Sequence, residues 1–378
     1  MSRFNNTIKH IIRRTLTSKI CTFYKKQYRG LLKRHNIPNK SVVGEQMWID
    51  KWSALGKPNP VYYRLFSRYI GPDTNIIPED ICRTIVEPIL NPLRYTSYYS
   101  DKNMFDKLFG SEVMPQTILR KMHSFYYDRD YRRINLTCTE TLIGILDSSD
   151  CTKIVVKPAV DSSSGNGVRL FEKKKGAWFE MDSNQMLDLH YLNEYYGDDI
   201  IIQECLKQAD CLSYFNPTSV NTLRLTLYRS VVTDECHIPS AIIRIGKNGA
   251  LVDNAHAGGG YVGIKADGTL CNKVLNQYGD ETTAFNGIDF TKEYKIPNWD
   301  GVVEFAKHIG RNVPHHRLLA LDIMIDSNGF PRLIEFNCNS YSMWLFQFTV
   351  GAALGEYTDE ILEYCKKNTH KAERLIKV

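Results

Sequence analysis

The spacing of apolar positions changes character near residue 100. Residues 1–99 carry apolar positions at helical spacing, punctuated by Pro38, Pro58, Pro60, Pro72, Pro78, Pro88 and Pro92, and predict a helical N-terminal module. Beyond it, short apolar runs alternate with amphipathic stretches. A helix is expected at Asp101–Phe109, strands at Lys153–Lys157 and Gly167–Glu172, a helix at Ser183–Tyr195 and a strand at Ile200–Glu204. Leu223–Val232, Ser240–Ile245 and Gly260–Ile264 are rich in β-formers. A helix at Asp300–Asn312, strands at Leu318–Ile325 and Arg332–Asn337, and a helical tail after Thr358 complete the pattern. This order predicts mixed α/β (α+β) packing in three segments, 1–99, 100–205 and 206–378, without internal repeats.

The last two strands place Asp322, Glu335 and Asn337 inside apolar runs, where such groups are costly unless something binds them. The turn Asp326-Ser-Asn-Gly329 is read as a four-residue hairpin connection setting Asp322 opposite Leu333, with Glu335 and Asn337 on the same face. Three oxygen donors then converge, a set suited to a magnesium-type cation that keeps positions open for nucleotide phosphates. The other reading is a surface hairpin with solvated acids.

Composition bounds these readings. The chain has 378 residues, 43% hydrophobic and 24% charged, enough for two or three packed domains, so disorder does not describe it. No apolar stretch reaches the roughly 18 residues a membrane span requires, and no secretory signal is evident, so a cytoplasmic location is expected. Ten cysteines lack C-x-x-C spacing, which argues against disulfides and structural zinc. Of the net charge of +6, much is concentrated early: Arg3, Lys9, Arg13, Arg14, Lys19, Lys25, Lys26, Arg29, Lys33 and Arg34 all precede the first acid, Glu45. With Ile8, Ile11, Ile12, Leu16, Ile20, Phe23 and Tyr24 interleaved, this reads as a basic amphipathic helix. Such a helix packs on the body, lies on an anionic membrane, or binds an acidic polymer. Nucleic acid is not expected, because no recognised binding motif accompanies the charge.

Several segments carry candidate chemistry. Lys153–Pro158 is a strand ending in Lys157, followed by Asp161-Ser-Ser-Ser-Gly-Asn-Gly167, a small flexible turn over a lysine that suits phosphate. It lacks the Gly-Lys-Ser/Thr of a P-loop, and a Ser/Gly-rich hairpin turn is the simpler account. Ile200–Leu206 ends with polar Gln203 and Glu204, able to face an adenine edge or merely to enter a loop. Arg224 and Arg244 each interrupt an apolar strand and need a carboxylate or phosphate partner if buried. Asp253-Asn-Ala-His-Ala-Gly-Gly-Gly260 offers His256 as a polarising group and three glycines past which a ligand or lid could move.

In this order, the pieces Ser100-Asp-Lys102 with Lys107, Val155-Val-Lys-Pro158, Ser162–Gly167, Gln203–Leu206, Asn221-Thr-Leu-Arg224, Asp253–Gly259, Leu321-Asp322 and Glu335-Phe-Asn337 resemble the ATP-grasp superfamily, and within it the sugar-transfer-associated branch. The likeness covers roughly residues 45–350. It implies an ATP-grasp fold of two α+β subdomains clasping ATP behind the helical module. Lys102 and Lys157 would meet the phosphates, Ser162, Ser163, Ser164, Gly165 and Gly167 would close over them, and Gln203, Glu204, Cys205 and Leu206 would line the adenine pocket. Asp322, Glu335 and Asn337 would hold magnesium. Arg244, Arg224 and His256 are the catalytic candidates. The implied activity is an ATP-dependent carboxylate–amine ligase acting through an acyl phosphate on a sugar, uronic acid or amino-acid substituent in capsule or exopolysaccharide synthesis. A sugar kinase and a nucleotide-binding scaffold of a glycosyltransferase complex are the alternatives, the scaffold docked at the membrane by the basic arm.

Overall fold

The computed structural model describes residues 2–160 and 166–374, with side chains over 15–160 and 166–372. The chain forms a larger unit, Met1–Ser97, Tyr214–Asp322 and Phe336–Val378, and a smaller one, Tyr98–Ser213 with Ile323–Glu335. The first 97 residues are therefore part of the larger unit, not a module of their own.

The smaller unit is built on an antiparallel sheet of β1 (Thr117–Met122), β2 (Phe125–Tyr127), β3 (Arg133–Ile134), β4 (Lys153–Pro158), β5 (Arg169–Lys174), β6 (Ala177–Glu180) and β7 (Ile200–Glu204). Its order is β3-β2-β1-β7-β4-β5-β6. Alternation along β4 sends Ile154 and Val156 to one face and Lys153, Val155 and Lys157 to the other. The apolar face, with Ile200, Ile202 and Phe171, packs under Leu142 and Leu146 of the helix Thr139–Asp147 and Tyr191 and Leu192 of the helix Leu189–Tyr195. That second helix begins six residues later than the sequence predicts. Asp188 caps it by accepting from the Tyr191 amide at 2.6 Å, and Asn184 turns the preceding chain at φ 58°.

The larger unit contains β8 (Thr222–Arg229), β9 (Cys236–Ile245), β10 (Gly260–Ile264), β11 (Val274–Leu275), β12 (Glu281–Thr282), a separate hairpin β13 (Ala284–Phe285) and β14 (Ile288–Asp289), then β15 (Leu318–Ile325) and β16 (Pro331–Asn337). The sheet order is β12-β11-β10-β9-β8-β15-β16, and the chain passes to the smaller unit partway along β15 and returns partway along β16. The helix Trp299–Arg311 packs on β8 and β9 through Gly310, where a Cβ would fall 2.6 Å from Leu227 and 2.8 Å from Cys236.

Between β15 and β16 the Asp326 amide donates to the Phe330 carbonyl at 2.9 Å, so the turn comprises three residues, with Gly329 at φ 83°. The four-residue connection expected from the sequence does not form, and the Asp322–Leu333 register that depended on it does not follow. Asp326 is what shortens the turn: its carboxylate accepts from the amides of Asn328 and Phe330 and from Arg332.

The early prolines do different work from simple breaks. Pro60 opens the helix Pro60–Ile70, capped by Asn59, while Pro88 follows a widened helical turn at Cys82–Val86 that accommodates its missing donor. The first helix, Ser2–Arg34, is anchored at its C-terminal third, where Tyr28 meets Tyr62 and Phe66 at ring distances of 4.7 and 5.7 Å. All ten cysteines are free thiols, and among the described residues no helix is long and apolar enough to cross a membrane.

Asn91 ties the N-terminal helices to the sheet. Its buried amide donates to the carbonyls of Leu318 (2.6 Å) and Cys338 (2.9 Å) and to the Tyr341 hydroxyl, while its oxygen accepts from the amides of Arg317 and Leu318, each at 3.0 Å. Asn91→Ala leaves the Leu318 and Cys338 carbonyls to the Tyr341 hydroxyl and the Arg317 amide to the Leu90 carbonyl, but removes the partner of the Leu318 amide, at about 1–3 kcal/mol for a buried group left unpaired, and weakens the rest. We expect a loss of roughly 3 kcal/mol in denaturant unfolding; a variant within experimental error of the parent would show that the hub is dispensable.

Candidate active site

In the smaller unit, the sheet face opposite the apolar core carries Lys157, and register brings Ile201 of β7 and Arg120 of β1 beside it. Arg120 is fully buried and is met by Asp106 and by the Asn103 carbonyl at 2.6 Å. Tyr131 lies against the Arg120 guanidinium and the Lys107 ammonium, at 3.9 and 3.7 Å from its ring, and also bonds Asp106. This platform holds the segment 102–109, and the Lys102 amide donates to the Ala159 carbonyl at 3.0 Å. Lys102 is thereby fixed near the end of β4.

Lys102 and Lys157 are both buried, and the carboxylate placed with them is Glu335, 3.8 Å from the Lys102 ammonium. Burial, reinforced by Lys102 and only partly offset by Glu335, lowers Lys157 to about 8. The two ammoniums lie together on a sheet face where desolvation makes positive charge expensive. This is the electrostatic signature of an anion site. The turn after β4 is pinned at its return: Tyr196 donates to the Gly167 carbonyl at 3.0 Å, and Gly167, at φ 76°, lies so near Pro158 that a Cβ would come within 2.9 Å. Ser162, Ser163, Ser164 and Gly165 lie outside the described residues.

At the end of β7, Gln203 is turned inward. Its amide donates to the Pro115 carbonyl at 3.0 Å and toward Thr117 at 3.4 Å, while among the described residues its buried oxygen lacks a hydrogen-bond partner. The Glu204 carboxylate accepts from the Gln116 amide, and the Cys205 amide donates to Lys153. Leu206 is half-buried. The side chains of Gln203 and Glu204 thus brace the neighbouring chain at Pro115–Thr117.

In the larger unit, the β8–β9 register sets Thr222 opposite Arg244, and period two puts Arg224 on that same face. Arg224 grips Asp322 through two bonds of 2.8 and 2.7 Å; Arg244 reaches Asp322 at 3.4 Å and Asp253 at 2.8 Å; Asp253 in turn accepts from the Thr222 amide at 3.0 Å and from its hydroxyl. Burial alone would raise the Asp322 carboxyl, but the two guanidiniums outweigh it and hold it below its ordinary value. At Asp253 burial prevails and the carboxyl is raised. His256 does not join this network. It is exposed and bonds Gln277. Gly258 adopts φ 86°, and a Cβ on Gly259 would fall 2.9 Å from the carbonyl oxygens of Asn254, Asp253 and Ile245, so the loop's own geometry calls for both glycines.

For a divalent cation, Glu335 and Asn337 offer a carboxylate and an amide two positions apart on β16, and Asp322 a second carboxylate. The donors suit magnesium in kind. Both oxygens of Asp322 are engaged by arginine in this structure, and among the described residues no three His, Cys, Asp or Glu side chains are grouped to hold a metal ion. The sequence reading identified the arginines and Asp322 but not that they bond one another, and it passed over Asp253 as Arg244's partner. The signal was present, because two cationic interruptions of apolar strands call for two acids.

Two α+β units, the smaller carrying a pair of lysines on a buried sheet face, make up an ATP-grasp domain. The chain belongs to the family described as sugar-transfer associated ATP-grasp, which it matches over residues 83–362. No curated protein sequence matches it. Among solved structures it is similar to the D-cycloserine synthetase DcsG, with 12% identity, 74% of this chain and 73% of that one covered, and a TM-score of 0.42. It is also similar to the D-alanine-D-alanine ligases of Coxiella burnetii (8% identity, 75% and 62% covered, TM-score 0.40) and Bacillus anthracis (14%, 72% and 69%, 0.39). The matched part is less than two thirds of the Coxiella chain. Family membership rests on the sequence match, not on these likenesses.

Two predictions follow from the charges. Because Lys157 titrates at about 8 in the fold against 10.5 ordinarily, its burial as a cation costs stability at neutral pH, and that cost is relieved as pH rises from about 8 toward 10.5. Lys157→Met should therefore stabilise the protein at pH 7 by on the order of 2 kcal/mol, an advantage that shrinks in alkali; a pH-independent difference in calorimetric unfolding would contradict the assignment. Asp322→Asn leaves two guanidiniums facing a neutral amide, at a cost of about 3–5 kcal/mol. Pyrophosphate should raise the melting temperature of this variant more than that of the parent, and equal responses would mean that the arginines are not an anion site.

Proposed function

We propose that the chain is an ATP-dependent ligase that activates a carboxylate as an acyl phosphate and transfers the acyl group to an amine, with a sugar-linked or uronic acid as the carboxylate donor in polysaccharide synthesis. The observation that carries this reading is the pair of buried lysines on one sheet face, where burial and the neighbouring Lys102 disfavour the Lys157 ammonium and a polyphosphate would favour it. Family membership supports ATP as the nucleotide and sugar transfer as the setting.

The residues take the following roles in the proposal. Lys102 and Lys157 neutralise the phosphates, and the turn closed at Gly167 covers them. The substrate carboxylate oxygen attacks the γ-phosphorus, the bond to the β–γ bridging oxygen breaks, and ADP leaves. The amine then adds to the acyl carbon and phosphate departs with the oxygen donated by the carboxylate, while the nitrogen loses its proton. Arg224 and Arg244, 13% and 17% exposed along their side chains, are the groups that would meet the substrate carboxylate and the transferred phosphoryl. Asp322, Glu335 and Asn337 would hold magnesium, which when bound supplies further charge neutralisation at the phosphates. His256, exposed and engaged by Gln277, takes no part in the proposal.

The test is isotopic. Purified protein with ATP, magnesium, an amine and an ¹⁸O-labelled uronic or amino acid should yield ADP and one phosphate bearing label per amide formed. Phosphorylated sugar without labelled phosphate would establish a kinase instead, and AMP with pyrophosphate an adenylating enzyme. Glu335→Gln should lower turnover by about 10²-fold or more while leaving the fold intact, and near-parental activity would remove Glu335 from the machinery.

A further inference from the structure

The first helix presents two different seams. Thr17, Cys21, Tyr24, Tyr28 and Leu31 run along one side at alternating spacings of four and three, and Tyr28 and Leu31 are buried with Leu32 against the body. On the opposite side Leu16, Lys19, Phe23, Lys26, Gly30 and Lys33 follow the same spacing, and every one is exposed. Leu16 is 43% and Phe23 64% accessible, large values for apolar side chains on a helix that already has an apolar face in use. Lys25 and Arg29 flank this outer seam, also exposed, and no acidic residue occurs anywhere in the helix. Arg34 differs, since it is paired with Asp280.

We propose that this outer seam is a docking surface for an anionic lipid bilayer, on which the helix lies parallel to the surface. Phe23 and Leu16 enter the boundary between headgroups and acyl chains, while the lysines, on long stems, reach lipid phosphates beside them. The partner is identified by chemistry. A seam alternating apolar and basic residues matches a surface that is itself apolar beneath and anionic above, whereas an acidic polymer would use the lysines and leave Phe23 and Leu16 in water. The inner seam remains packed, so docking requires no unfolding of the body. This proposal is independent of the reaction assigned above.

Flotation of the full chain with vesicles decides it. Vesicles of phosphatidylcholine containing about one third phosphatidylglycerol should carry the protein at low salt and release most of it when salt shortens the screening length to a few ångströms, and pure phosphatidylcholine should carry little. Lys19→Glu with Lys26→Glu should lower partitioning about tenfold or more, and Phe23→Ser should lower it severalfold at unchanged charge. All these positions face solvent, so melting temperature and ATP turnover should stay at parental values and confirm that the variants are folded. Absence of vesicle binding by the parent at low salt would overturn the proposal. So would full retention by either variant, or binding to RNA that exceeds binding to anionic vesicles.

Discussion

A charge buried in a sheet must find its opposite within reach, and much of this molecule is arranged around that constraint. In the larger unit the requirement is met: Arg224, Asp322, Arg244 and Asp253 alternate in sign, and Thr222 closes the chain with two donors. In the smaller unit Asp106 meets Arg120, and Glu335 stands with the buried Lys102 and Lys157. The contrast distinguishes structure from readiness. A neutral network holds its arginines at fixed positions on one sheet face, while a lysine pair whose charge is disfavoured by burial is a place where an anion can bind favourably.

Much of this was legible in the sequence because alternation is a strong signal. In Lys153–Pro158 the two lysines stand four positions apart, an even spacing that puts them on one face of a strand. The same logic placed Arg224 and Arg244 in strands, and the strand and helix boundaries of the larger unit came within a few residues. What alternation does not encode is pairing between strands. That Asp322 meets two arginines depends on which strand lies next to β8, a fact of topology separated by about a hundred residues of chain.

Other features escaped for more local reasons. Thr117–Met122 carries Arg120 and Lys121 in its middle, which obscures a strand buried on both faces; Asp106 and the Asn103 carbonyl are what let Arg120 sit there. The hairpin turn lost a residue because Asp326 captures two amides, a side-chain effect that residue counting does not register. Gln203, polar at a strand end, invited a ligand role, yet its amide is spent on the adjacent chain.

The path of the backbone between the units has a consequence for biosynthesis. The chain leaves the larger unit after Ser97, returns at Tyr214, leaves again after Asp322 and returns at Phe336, so both termini belong to the larger unit and the smaller one is interrupted by it. On a ribosome the smaller unit's first stretch emerges early but waits for Ile323–Glu335, and the larger unit waits longer still for the strand and helices after Phe336. Neither can finish before the segments that follow Asp322 have emerged. Unlike tandem domains, which fold one after another, this protein must keep two unfinished sheets, each with exposed edges, from pairing with neighbours until the segments after Asp322 appear.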